Sequence, residues 1–180
     1  MENLLKIKKF SNKFHGLLSI LLVLVPLYYI VYWVFINHLP ETLITANTPT
    51  TPLIPNLLDV KLRLIGFSVS LLPLSALAYL IFNMRKLFSF YKEGEIFSFD
   101  HVVLFKNTAR GLIFWVIFSI LYETVKSVLF SIGNPPGSRV LTVGVTWAEV
   151  TPLLVGGVVF LIAWVMDEGR ALSEDNELTV

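Results

Sequence analysis

Few residues in this 180-residue chain are of types that carry chemistry, and their spacing removes most options. Cysteine is absent, which excludes disulfides, thiolate metal sites and a cysteine nucleophile. The three histidines are His15, His38 and His101. They form no His-Glu-x-x-His zinc helix, and the chain has no Gly-x-x-x-x-Gly-Lys-Ser/Thr phosphate loop. No nucleophile has a base beside it, so the chain does not read as an enzyme, and no catalytic, metal or cofactor residue is expected. The one ionisable pair inside an apolar stretch is Glu123 and Lys126. Three residues apart, they are neighbours on one helix face. A charge at the centre of a bilayer costs about 2.5–3.5 kcal/mol. Two readings of the pair stay open. Either the two neutralise each other and snorkel to the outer interface, or they form a buried ion or proton site in a small transporter or ion-conducting oligomer. Arg63 is a further partner to consider for Glu123.

The second patterned feature occurs twice. Tyr91-Lys92-Glu93-Gly94-Glu95-Ile96-Phe97-Ser98-Phe99-Asp100 and Met166-Asp167-Glu168-Gly169-Arg170-Ala171-Leu172-Ser173-Glu174-Asp175 share a Glu-Gly step followed by apolar residues and a serine at constant offset. Glycine just past a helix accepts the left-handed conformation that closes it. Ser98 and Ser173 then suit N-caps, with acidic residues favourable in the turn that follows. The spacing predicts two helix exits at Glu93-Gly94 and Glu168-Gly169, and a short helix from Phe99 to about Thr108. Phe97, Leu172 and Leu178 are apolar residues that could fold back on the bundle or dock a partner.

The first copy, Glu93-Gly94-Glu95-Ile96-Phe97-Ser98, and the closing stretch Glu168–Val180 resemble those of a bacterial membrane-protein family catalogued as domain of unknown function 2975. The resemblance covers most of the chain and rests on these two motifs. It implies four membrane spans and no assigned activity. It also implies a partner, a small helix-turn-helix DNA-binding regulator on the cytoplasmic side.

The elements that hold these residues are apolar helices. Hydrophobic residues make up 55% of the chain and charged residues only 15%, against roughly 25% charged in a soluble domain. Leu17 to Ile36 and Leu64 to Phe82 contain no charge; each meets the roughly 20 residues that cross a hydrocarbon core. A third run starts at Gly111. A fourth, Val150 to Met166, is flanked by Trp147 and Trp164, as interfacial anchors are. The resulting fold class is an all-α integral membrane protein, a four-transmembrane-helix bundle of two tandem helical hairpins. Spans are expected at about 16–37, 63–84, 110–132 and 149–166. Outer loops are expected at 38–62 and 133–148, a cytoplasmic loop at 85–109 and a tail at 167–180.

Charge placement orients the bundle. Lys6, Lys8, Lys9, Lys13, Arg85, Lys86, Lys92, Lys106, Arg110 and Arg170 fall on one side, ten of the fourteen basic residues. Basic loops stay cytoplasmic, so both termini are expected inside a bacterial cytoplasmic membrane. The first apolar run exceeds the 7–15 residues of a typical signal-peptide core, so it reads as a retained span. The prolines at 40, 49, 52 and 55 deny the first outer loop regular structure. Arg139 to Trp147 reads either as a short strand or as an extended cover. The N-terminal lysines suit the lipid bilayer's anionic head groups, and direct nucleic-acid binding is not expected. The leading functional expectation is a regulatory or scaffolding protein whose cytoplasmic loop and tail dock a soluble partner.

Overall fold

The computed structural model describes residues 2–40, 57–95, 98–145 and 147–178, with side chains to Leu172. Four long helices carry the fold: α1 Glu2–Phe35, α2 Val60–Glu93, α3 Phe99–Ser131 and α4 Trp147–Leu178. A single 3-10 turn, Ile36–His38, ends α1. Each helix contains an 18-residue window of mean hydropathy 1.7 or more, so all four are long and apolar enough to cross a membrane. They run unbroken through Pro26, Pro73 and Pro152. No strand occurs among the described residues.

The helices alternate in direction and pack in chain order, α1 on α2, α2 on α3 and α3 on α4. One end of the bundle therefore holds both chain ends and the α2–α3 turn. It is called the terminal end below, and the opposite one the distal end. The closest packing between elements joins α2 to α3, so the two expected hairpins merge into one up-and-down array. Gly111 makes that approach close: a Cβ there would stand 3.1 Å from Leu80 Cβ.

Each helix has 32–34 residues, about 50 Å at 1.5 Å per residue and well beyond the ~30 Å of a hydrocarbon core. Most of the excess lies at the terminal end. The expected connecting segment 85–109 is thus helix on both sides of a short turn. The separate helix expected at Phe99 to Thr108 is the first third of α3. No breaker interrupts Phe99 to Ser131, and helices propagate cheaply once nucleated.

Two apolar clusters hold the array. At the distal end Tyr32 and Trp33 of α1 and Ile36 of the 3-10 turn meet Tyr122, Leu129 and Phe130 of α3, with Leu58 just before the start of α2. Trp33 fits over Gly66, where a Cβ would fall far inside contact distance of its indole. Nearer the terminal end, Leu18 packs with Leu80 and Ile81. Polar clamps close the distal end. The Asn37 amide bonds both the N–H and the carbonyl of Leu58 at 3.0 Å. Residues 139–145 form an extended cover: the N–H groups of Val140 and Thr142 donate to Ser131 Oγ and Ser127 Oγ. The serines on α3 take the place of a neighbouring strand.

Candidate functional site

Glu123 and Lys126 lie near the distal end of α3, where the rings of Tyr29 and Trp33 of α1 reach Tyr122. Lys126 Nζ stands 2.8 Å from both Glu123 carboxylate oxygens. The ammonium also lies 5.4 Å from the Tyr122 ring centroid. Lys126 is 3% exposed and the Glu123 side chain 22%. Lys126 is therefore buried within the bundle, whereas Glu123 keeps partial exposure. The Lys126 helix neighbours Tyr122, Leu129 and Phe130 belong to the distal core. Tyr29 and Tyr32 of α1 and Glu149 in the first turn of α4 lie within electrostatic reach of Glu123. Arg63 is not the further partner of Glu123. It donates from Nη1 to the Val34 carbonyl at 3.2 Å, covering one of the acceptors left open at the end of α1.

At the terminal end, Gly94 closes α2 as its position implies. It has φ +100°, a conformation that costs a side-chain-bearing residue roughly 1–2 kcal/mol. The N–H groups of Gly94 and Glu95 both donate to the Phe90 carbonyl, at 3.0 and 3.1 Å, so one of the last four acceptors of the helix takes two bonds. Lys8 of α1 lies directly over this turn. A Cβ on Gly94 would stand 2.6 Å from Lys8 Cε. Ser98 holds the N-cap position of α3 with extended backbone, but its hydroxyl makes no cap bond to the helix. It pairs instead with His101 Nδ1 at 2.6 Å. Phe97 lies outside the described residues.

The second copy of the motif does not form a turn. α4 continues past Glu168 and Gly169 to Leu178, so Ser173 lies inside the helix rather than at the start of one. Two causes are visible. Glycine inside a helix costs only about 1 kcal/mol, and Arg170, Ala171 and Leu172 after it are strong helix formers. The side chains also tie this region down: Asp167 accepts a 2.9 Å bond from Lys106 of α3. Arg170 lies 3.6 Å from Asp167 and packs over the Phe99 ring at 5.3 Å. The Lys106 hydrogen bond, more than any other contact, holds the Asp167 carboxyl below its ordinary range. Leu172 is exposed on this tail.

His101 is the residue that the sequence motifs do not single out. It is fully buried, with its ring 5.4 Å from that of Phe90 and 4.9 Å from that of Tyr91. Burial lowers its pKa, and the Glu95 backbone with the charges of Glu95 and Asp100 opposes that only in part. The available signal was its place three residues after a capping serine, where a capping box would carry Glu or Gln.

These sites sit at opposite ends of the bundle and do not converge. Among the described residues no three His, Asp or Glu side chains stand together in a way that could hold a metal. A groove of about 250 Å³ between α2 and α3 is lined by Ser75, Ala76, Tyr79, Phe114 and Phe118. It gathers no charged group that would orient a ligand. A family model described as protein of unknown function (DUF2975) matches residues 56–180, more than half of the chain, starting after α1. No curated protein and no solved structure matches.

Proposed function

Because the chain belongs to the DUF2975 family, whose function is unknown, we propose from its geometry that it is a membrane-embedded scaffold that presents its terminal end to a soluble partner. The four apolar helices lie in a bacterial cytoplasmic membrane with both chain ends inside, as the placement of lysine and arginine favours. One observation carries the reading. All four helices continue past their apolar windows at the terminal end, and there Lys106, Asp167, Arg170 and Phe99 lock α4 to α3. A scaffold needs such a structured platform, whereas a transporter would need a polar path through the bundle. The docking surface is the tail from Glu168 to Leu178 with the Gly94 turn beside it. The family resemblance makes a small DNA-binding regulator the partner to try first. Affinity purification of the intact protein from its native membrane should bring down a soluble partner, and deleting residues 173–180 should release it. Retention of the partner by the truncated chain refutes docking at the tail.

The burial of Lys126 supports a second reading, ion or proton transport through the Glu123–Lys126 pair. Reconstituted liposomes decide it: flux that vanishes with Glu123→Gln favours transport, and no flux, or flux unchanged by that substitution, removes it.

A further inference from the structure

One cluster of charge at the terminal end is used by neither reading. Lys8, His15 and Ser19 are spaced by seven and four residues along α1, so they share one flank of that helix. Arg85 and Lys92, seven apart on α2, share the flank that faces them. Arg85 Nε donates to Ser19 Oγ at 2.8 Å, and that hydroxyl donates to the His15 carbonyl at 2.7 Å. The half-buried guanidinium is thereby fixed, with its two terminal nitrogens unused by any described residue. Lys8 covers the Gly94 turn on the same seam. Among the described residues neither Lys8, Arg85 nor Lys92 pairs with a carboxylate, although Glu93 and Glu95 flank the turn. The cations lower the pKa of His15, after the effect of its burial, in the order Arg85 then Lys92. The group is thus a self-repelling cluster without a described counter-charge.

Its position names the counter-charge. His15 directly precedes the charge-free run of α1, and Arg85 follows that of α2 by three residues. Both therefore stand at the level where hydrocarbon gives way to head groups. The chain flanks this level with exposed apolar surface, Leu17 and Ile20 on α1 and Phe82 on α2, along which acyl chains can lie. A fixed guanidinium fork matches two oxygens of a phosphate, which an ammonium cannot do.

We propose that the α1–α2 seam at the terminal end binds the phosphate head group of an anionic membrane lipid, with Arg85 as the bidentate ligand and Lys8, His15 and Lys92 around it. This rests on the membrane reading of the previous subsection, but on neither partner docking nor transport.

The test places the intact protein in nanodiscs of phosphatidylcholine with and without phosphatidylglycerol, and reads retained lipid by native mass spectrometry together with Tm. Failure to enter phosphatidylcholine discs would count against the membrane reading itself, separately from this site. Once inserted, the wild type should retain phosphatidylglycerol selectively, and its Tm should rise by a few degrees in the mixed discs. Arg85→Gln with Lys92→Gln should weaken retention about tenfold, as expected when a charge-assisted bidentate contact is lost. Lys9→Gln with Lys13→Gln removes the same charge from the other flank of α1 and should leave retention unchanged. Should the first double variant fold poorly, Ser19→Ala frees the guanidinium without removing it and should weaken retention several-fold. Equal loss in both double variants would reduce the effect to diffuse attraction and overturn the site, as would no preference for phosphatidylglycerol. Displacement of the lipid by millimolar inorganic phosphate would assign the seam to a soluble anion and overturn the lipid.

Discussion

Lys126 and Glu123 are partners, but they depend on each other unequally. Lys126 is enclosed and has one carboxylate; Glu123 keeps partial access to the surface. Removing one partner from a buried pair costs roughly 3–5 kcal/mol, because the other charge is stranded. Glu123→Gln strands the enclosed member, so it should lower stability by several kcal/mol. Lys126→Met keeps the stem volume and strands the better-solvated member, so its effect should be smaller. The double substitution should recover most of the loss. Denaturation of the purified variants in detergent checks the order, and equal effects of the two single changes would contradict it. His101 yields a prediction in pH. Its folded pKa lies below the ordinary histidine value of 6.5, so the unfolded chain binds more protons as pH falls. Stability is complete above about pH 6.5 and is lost progressively below it. His15 shifts in the same direction. Replacing His101 with Gln should therefore flatten, without abolishing, the fall in Tm between pH 7 and pH 5. An unchanged slope would mean His101 is not a contributor.

Among the elements, the repeated Glu-Gly step shows how far local pattern reaches. At Gly94 the turn was legible, because a Glu-Gly step at a helix exit suits the left-handed backbone found there, φ +100°; Lys8 touches this turn only with the flexible end of its side chain. At Gly169 the same letters sit within a helix with nothing near the missing Cβ. The two glycines should thus respond with opposite sign to alanine. Gly169→Ala should stabilise by about 0.5–1 kcal/mol through helix propensity, while Gly94→Ala should destabilise by about 1–2 kcal/mol from the left-handed backbone alone. Thermal melts followed by helical circular dichroism test both, and loss of stability at Gly169 would restore the turn. The four long apolar helices were legible, two of them from uncharged runs of about twenty residues, a length that matches the thickness of a hydrocarbon core. The helical extensions beyond them were not, since a charged helix resting on a neighbouring helix has no distinctive pattern in one sequence. Burial of Lys126 was hidden for a related reason: Tyr122, whose ring lies beside its ammonium, packs against α1 aromatics almost a hundred positions away.

For the molecule as a whole, orientation is the property on which the functional reading turns. The scaffold proposal needs the terminal end in the cytoplasm, as does the choice of a DNA-binding regulator as partner. The sequence supports this through ten basic residues at that end, and the fold brings them together by placing both chain ends and the α2–α3 turn side by side. Lack of cysteine makes the question direct, because any introduced thiol is the sole target for a maleimide. Asn3 and Leu172 are exposed at the terminal end, and Ser138 is exposed in the distal connection after α3. In intact cells a membrane-impermeant maleimide should label Ser138→Cys and leave Asn3→Cys and Leu172→Cys untouched until the membrane is opened. The reverse pattern would invert the bundle and turn its platform away from every soluble cytoplasmic partner. Labelling of all three in intact cells would remove the membrane-spanning arrangement altogether, and with it the head-group level that gives the Arg85 cluster its meaning.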